Sequence, residues 1–132
     1  MNTIDKETAE IEFGRFVEAM DIDLELEGDD EEDKRDFSLH KDRMVTSIMK
    51  GFLVILEDGK PVYTPKYPIT GSIDPVLKFR RPTGATIKAF NKANQDINAA
   101  LADMTRKPAS FFSGMDYFDY KVCCAVANLF LA

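Results

Sequence analysis

Pro61, Pro65 and Pro68 stand so close together that no helix can run through the middle of this chain. Each proline deletes a backbone donor and clashes with the turn before it, so the segment must be extended. Upstream, the apolar run Phe52 to Leu56 leads into Asp58-Gly59, a dipeptide suited to a tight hairpin turn. Downstream, a second hairpin is expected around Gly71-Ser72, with Val76 to Arg80 as its return strand. The centre therefore reads as a small antiparallel sheet from segments near Phe52 to Tyr63 and Tyr67 to Arg80. Helices must occupy the flanks, and the expected class is α+β, the sheet packed beside C-terminal helices with short amphipathic helices in the N-terminal half.

On the N-terminal flank, Phe13, Phe16, Val17 and Met20 follow the i, i+3, i+4, i+7 spacing of one helix face, predicting a helix from Asp5 to Met20. Asp21 to Glu27 then alternates Ile22, Leu24 and Leu26 with acids, the period of a half-buried strand. Gly28 to Asp36 is almost wholly charged and predicts a solvated, mobile loop or a frayed helix start. Met44, Val45, Ile48 and Met49 predict a second short helix that Gly51 ends. On the C-terminal flank, Thr83 is a good N-cap. Ile87, Phe90, Asn94, Ile97, Leu101 and Met104 form an a/d seam that predicts one long helix from Gly84 to Met104, stopped by Pro108. A last helix from about Asp116 carries Val122 to Leu131 with almost no polar face.

At 132 residues with 45% hydrophobic side chains, the chain has room for one compact domain, of which roughly two thirds of the unfolded surface is buried at this size. Its net charge of −6 hides a division. Residues 1–61 (helix, strand, loop, helix) carry 18 acids against 8 bases, whereas residues 62–132 (hairpin and two helices) carry 5 against 9. Attraction between the two halves is expected. No apolar stretch approaches the ~20 residues of a membrane span, and the charged start is unlike a signal peptide, so a cytoplasmic protein is expected. The adjacent Cys123 and Cys124 read as free thiols.

Catalytic and metal chemistry find little support in the residues. Asp21, Asp23, Glu25, Glu27 and Glu32 fit positions 1, 3, 5, 7 and 12 of a calcium loop, but Leu26 stands where glycine is needed and Gly28 where an apolar residue belongs. His40 is the only histidine, so zinc sites and Ser-His-Asp triads have no pattern, and a surface or capping role is expected for it. The glycines are scattered turn residues rather than a phosphate loop. No catalytic residue, metal or cofactor is predicted. Arg80 and Arg81, with Lys78 and Lys88, make too small a footprint for nucleic acid. They are expected to pair with carboxylates of the acidic half or of a protein partner.

Three stretches, Tyr67-Pro68-Ile69, Val76-Leu77-Lys78-Phe79-Arg80-Arg81-Pro82-Thr83 and Met115-Asp116-Tyr117-Phe118-Asp119-Tyr120, precede helices in an order that resembles the tail assembly chaperone family of long-tailed bacteriophages. The resemblance covers about residues 66–131, and residues 1–65 have no counterpart in it. It implies a non-enzymatic protein that binds the tape measure protein, helps bring tail tube subunits to it, acts in the host cytoplasm and is absent from the mature virion. It also implies a longer product made by translational frameshifting near the end of the reading frame. A holdase for helices needs an apolar groove read by i, i+3, i+4, i+7 anchors. Arg80, Arg81, Ile87, Phe90, Val126, Leu129 and Phe130 are the candidate partner-binding residues, and the apolar last helix is a candidate for self-association. Two other readings are an acidic inhibitor that mimics nucleic acid and a structural tail or adaptor subunit retained in the virion.

Overall fold

The computed structural model describes residues 3–22, 31–71 and 74–131. Among them are six helices, α1 (Lys6–Ala19), α2 (Glu31–Met49), α3 (Gly84–Lys92), α4 (Ile97–Thr105), α5 (Ala109–Ser113) and α6 (Tyr117–Phe130), and three strands, β1 (Leu53–Ile55), β2 (Pro61–Tyr63) and β3 (Leu77–Lys78). The fold is α+β, with a three-stranded antiparallel sheet in the order β1-β2-β3.

Local chemistry explains most of the boundaries. Asp5 caps α1 by accepting from the Thr8 N–H at 2.7 Å, and Asp116 caps α6 by accepting from the Phe118 N–H at 2.9 Å. Three helices end in the same way, the residue after the cap entering the left-handed region: Asp21 after α1, Gly51 after α2 and Asn94 after α3, where Gln95 is left-handed too. In each case the next N–H reaches back five residues, Ile22 to Val17 O, Phe52 to Ser47 O and Gln95 to Phe90 O, at 2.8–3.0 Å. These bonds define Schellman caps, which satisfy the last carbonyls and turn the chain sharply.

Those caps and helix starts overturn two expectations and decide a third between its alternatives. Asp21 and Ile22 close α1 instead of opening a strand; the rest of that expected strand, residues 23–27, lies outside the described residues. Of the two alternatives expected for Gly28 to Asp36, loop or helix start, Glu31 to Asp36 takes the second as the first part of a 19-residue α2, because Glu, Lys and Arg favour helix and Phe37 already packs on the core; residues 28–30 lie outside the described residues. Residues 84–104 are two helices, broken at Asn94 and Gln95 (φ 56° and 61°). Asp96 then restarts the chain by accepting from the Asn98 N–H at 3.0 Å. Asn94 is thus a turn residue and not a buried amide in a seam.

The core lies where α2 packs against both α1 and α6. Phe16 of α1 meets Phe130 of α6 edge-on at 5.3 Å between ring centroids, an arrangement worth about 0.5–1.5 kcal/mol beyond area burial. Leu53, Ile55, Tyr63 and Leu77 point inward from the sheet and are buried. The hairpin tip rests on α1 so closely that a Cβ at Gly59 would overlap the Ala19 Cβ. The Arg15 guanidinium lies across the edge strand, Nη2 donating to Ile55 O at 2.8 Å while pairing with Glu12. Covering an edge in this way discourages unwanted strand pairing.

Candidate functional site

Antiparallel pairing of Val54 with Val62, and of Val62 with Lys78, places these three residues in one row on the outward side of the sheet. Among the described residues no helix covers that row: Val54 is 51% exposed, Lys78 is exposed and Val62 is half-buried. Beside it, between the sheet and the end of α4, lies an open groove of about 430 Å³. Leu56, Val62, Phe79 and Met104 supply its apolar lining, and among the described lining residues Lys60, Lys78, Arg80 and Arg106 bring four cations against the single carboxylate of Asp58. Its size falls within the ~300–1,000 Å³ of ordinary ligand pockets.

Arg80 is fixed rather than free. Its backbone N–H donates to Met104 O at 3.1 Å, its Nη2 donates to Asp103 O at 2.8 Å, and the same nitrogen lies 3.3 Å from the Asp103 carboxylate. That carboxylate also accepts from the Thr86 hydroxyl, whose oxygen in turn accepts from the Thr83 N–H at 2.9 Å. Asp103 therefore joins the Arg80 to Thr83 turn, the first turn of α3 and α4 in one polar cluster. The counter-charge to Arg80 comes from its own half of the chain. Among the described residues, the ion pairs Glu12–Arg15, Asp58–Lys60, Asp74–Lys107 and Asp103–Arg80 each stay within one half; the acids of residues 23–30, on which the expected attraction between halves largely rests, lie outside the described residues.

Of the expected partner-binding residues, Arg80 lines this groove, and Arg81, Ile87 and Phe90 follow it along the chain on the turn after β3 and on α3. Arg81 is exposed beside Arg80. Ile87 is 43% exposed on α3, and Phe90, one turn along, is half-buried against the core. Helix α3 carries Lys88 and Lys92 and no acid. Val126, Leu129 and Phe130 are elsewhere: all three are buried within the chain's own core, which corrects the expectation that the last helix presents excess apolar surface. Sequence reasoning missed Val54, Leu56 and Val62. The only signal they offered was inward-outward alternation over strands of three residues, too short to read as a period.

A second polar cluster joins two of the stretches that carry the family resemblance. Asp119, fully buried on α6, accepts from Tyr63 Oη at 2.6 Å, the Lys66 N–H at 2.8 Å and the Tyr67 N–H at 3.0 Å. Burial, reinforced by the bond to Asp119 and its charge, raises the Tyr63 phenol far above its ordinary range. Burial likewise pushes Tyr120, which donates to Asn98 Oδ1 at 2.6 Å, up to about 12. Cys123 is a buried free thiol and Cys124 a half-buried one, and burial raises both. His40 is half-buried with Nδ1 lacking a hydrogen-bond partner among the described residues. Its burial holds it below the usual histidine value, Asp36 opposing and Arg43 reinforcing that shift.

A second cleft of about 430 Å³ separates α1 from β1, lined by Ile4, Ile48, Leu53 and Ile55 with Thr8 and Glu12 at its polar side. Among the described residues, no group of three His, Cys, Asp or Glu side chains could hold a metal ion, and no helix is long and apolar enough to cross a membrane. Comparisons of this chain with protein-family models, with curated proteins and with solved structures found no match.

Proposed function

We propose that this chain is a bacteriophage tail assembly chaperone, binding a helical stretch of the tape measure protein and assisting recruitment of tail tube subunits. The observation that carries the reading is the open groove beside the outer face of the sheet, apolar in its lining and cationic at its rim in a chain of net charge −6. An amphipathic helix laid in such a groove is held by apolar anchors spaced along one face. Carboxylates flanking those anchors would meet Lys60, Lys78 and Arg106, which favours encounter and register more than raw affinity. Helix α3, which follows Arg80 and Arg81 in the chain, exposes Ile87 and Lys88.

On this reading the chain acts in the host cytoplasm during assembly and leaves before the particle is complete. The test is co-expression with the product of the long helical reading frame expected just downstream. The helical product should stay soluble only when this chain is present, and purified virions should lack the chain. A helical product whose solubility is indifferent to this chain would refute the chaperone reading. Stoichiometric presence of the chain in virions would replace it with that of a structural subunit.

A further inference from the structure

On the other side of the molecule, between α2 and α6, lies a small cleft of about 100 Å³. Arg43 and Lys50 reach it from α2 or its cap, and Lys121 from α6, with Thr46 and the Phe118 ring between them. No acid is among the described lining residues, and none of the three cations forms an ion pair with a described carboxylate, Lys121 resting instead 5.0 Å from the centre of the Tyr117 ring. A fourth cation adjoins it: Lys66 Nζ stands 5.0 Å from the centre of the Phe118 ring. Like charges brought together without counter-ions repel, and in a chain of net charge −6 the meeting of Arg43 and Lys50 with Lys121 is conspicuous.

We infer that this cleft is an anion site that receives a carboxylate side chain from an acidic segment of a protein partner. Its volume holds about three water molecules' worth of space, enough for one carboxylate or phosphoryl group and too little for a nucleobase. A protein carboxylate fits better than a phosphodiester backbone, which requires a run of cations along its path. Here the same two helices also expose Asp36, Asp42 and Asp116, which a continuous polyanion would have to pass. The cations supply the attraction, the Thr46 hydroxyl can donate to the bound oxygen, and the Phe118 ring shields one side from water. The inference takes from the proposed function only that the ligand is a protein. The cleft is formed by elements other than those of the sheet groove, so the two sites can fail separately.

The test uses the full chain, labelled with ¹⁵N, titrated with a capped Glu-rich helical peptide, its Gln counterpart, inorganic phosphate and a single-stranded oligonucleotide. The Glu peptide should shift the amides of Arg43, Thr46, Lys50, Phe118 and Lys121, while the Gln peptide leaves them in place. A Lys50→Glu, Lys121→Glu chain should bind the Glu peptide at least tenfold more weakly, whereas Leu56→Asp, Lys78→Glu should leave the shifts at this cleft unchanged. Lys50→Gln, Lys121→Gln, which removes charge without reversing it, serves if the Glu variant does not fold. The inference is overturned if these amides do not respond to the Glu peptide, if they respond equally to the Gln peptide, or if phosphate or the oligonucleotide binds there more tightly.

Discussion

Replacing Asp119 with Ala should cost more stability than any other single polar change in this chain. Its carboxylate is fully buried and accepts three hydrogen bonds, from Tyr63 Oη and from the N–H groups of Lys66 and Tyr67, at 2.6–3.0 Å. Bonds to a charged acceptor contribute about 1.5–3 kcal/mol each, and a buried donor left without a partner costs about 1–3 kcal/mol. The two backbone donors are only partly buried and recover some of this from water, and removing a buried charge relieves its desolvation. The expected net loss is about 3–5 kcal/mol, a large share of the ~5–15 kcal/mol that holds a domain together. Tyr63→Phe alone should cost about 1–2 kcal/mol, since Asp119 keeps two donors. In the Asp119→Ala background the same change should cost nothing or stabilise, because the phenol it removes is already orphaned. Urea unfolding followed by circular dichroism on the four proteins of this cycle measures the coupling. A loss below about 1 kcal/mol for Asp119→Ala, or equal Tyr63→Phe costs in both backgrounds, would refute the account of this cluster.

Three further outcomes are expected. Gly59→Ala combines a strained left-handed φ of +88° with overlap against Ala19, and should lower stability by about 2–4 kcal/mol; a urea midpoint unchanged from the native one would contradict the docking of the hairpin tip on α1. His40 has a folded-state pKa lowered chiefly by burial, so its neutral form contributes stability that is present above about pH 6.5 and lost as pH falls through the folded value, the unfolded chain taking the proton first. The native chain should therefore lose more stability than His40→Gln between about pH 7 and pH 5, and parallel pH profiles would exclude this contribution. Cys123, buried and with its thiol pushed upward, should resist iodoacetamide at about pH 8 until urea unfolds the chain, while half-buried Cys124 reacts slowly; fast modification of Cys123 in the folded protein would contradict its placement.

How much of this was legible in the sequence depended on how local the signal was. The hairpin at Asp58-Gly59, the cap Thr83, the helix starts at Asp5 and Asp116, and the apolar faces of α1 and α6 are set by neighbouring residues and could be read directly. The break between α3 and α4 was misread because heptad spacing counts only apolar positions, and Ile87, Phe90, Ile97, Leu101 and Met104 keep that spacing across a Schellman cap. The signal was Asn94 followed by Asp96, a left-handed turn residue and then a helix N-cap. The start of α2 stayed open between loop and helix because a charged run suits both equally until Phe37 finds its place on the core. The site was the least legible part. Arg80, Arg81, Ile87 and Phe90 could be singled out, but the outward row Val54, Val62 and Lys78 exists only through pairing of three strands. Val126, Leu129 and Phe130 looked like an apolar surface, and only tertiary packing places them inside.

The central claim, that the groove beside the open sheet face holds a helix of the tape measure protein, is tested most directly by calorimetric titration of a purified helical tape measure fragment into the native chain and into Leu56→Asp, Lys78→Glu. Both residues are exposed, so the double variant should keep native stability to within about 0.5 kcal/mol per substitution. The account predicts measurable binding to the native chain and at least tenfold weaker binding to the variant. A folded variant that binds the fragment as tightly as the native chain would contradict it.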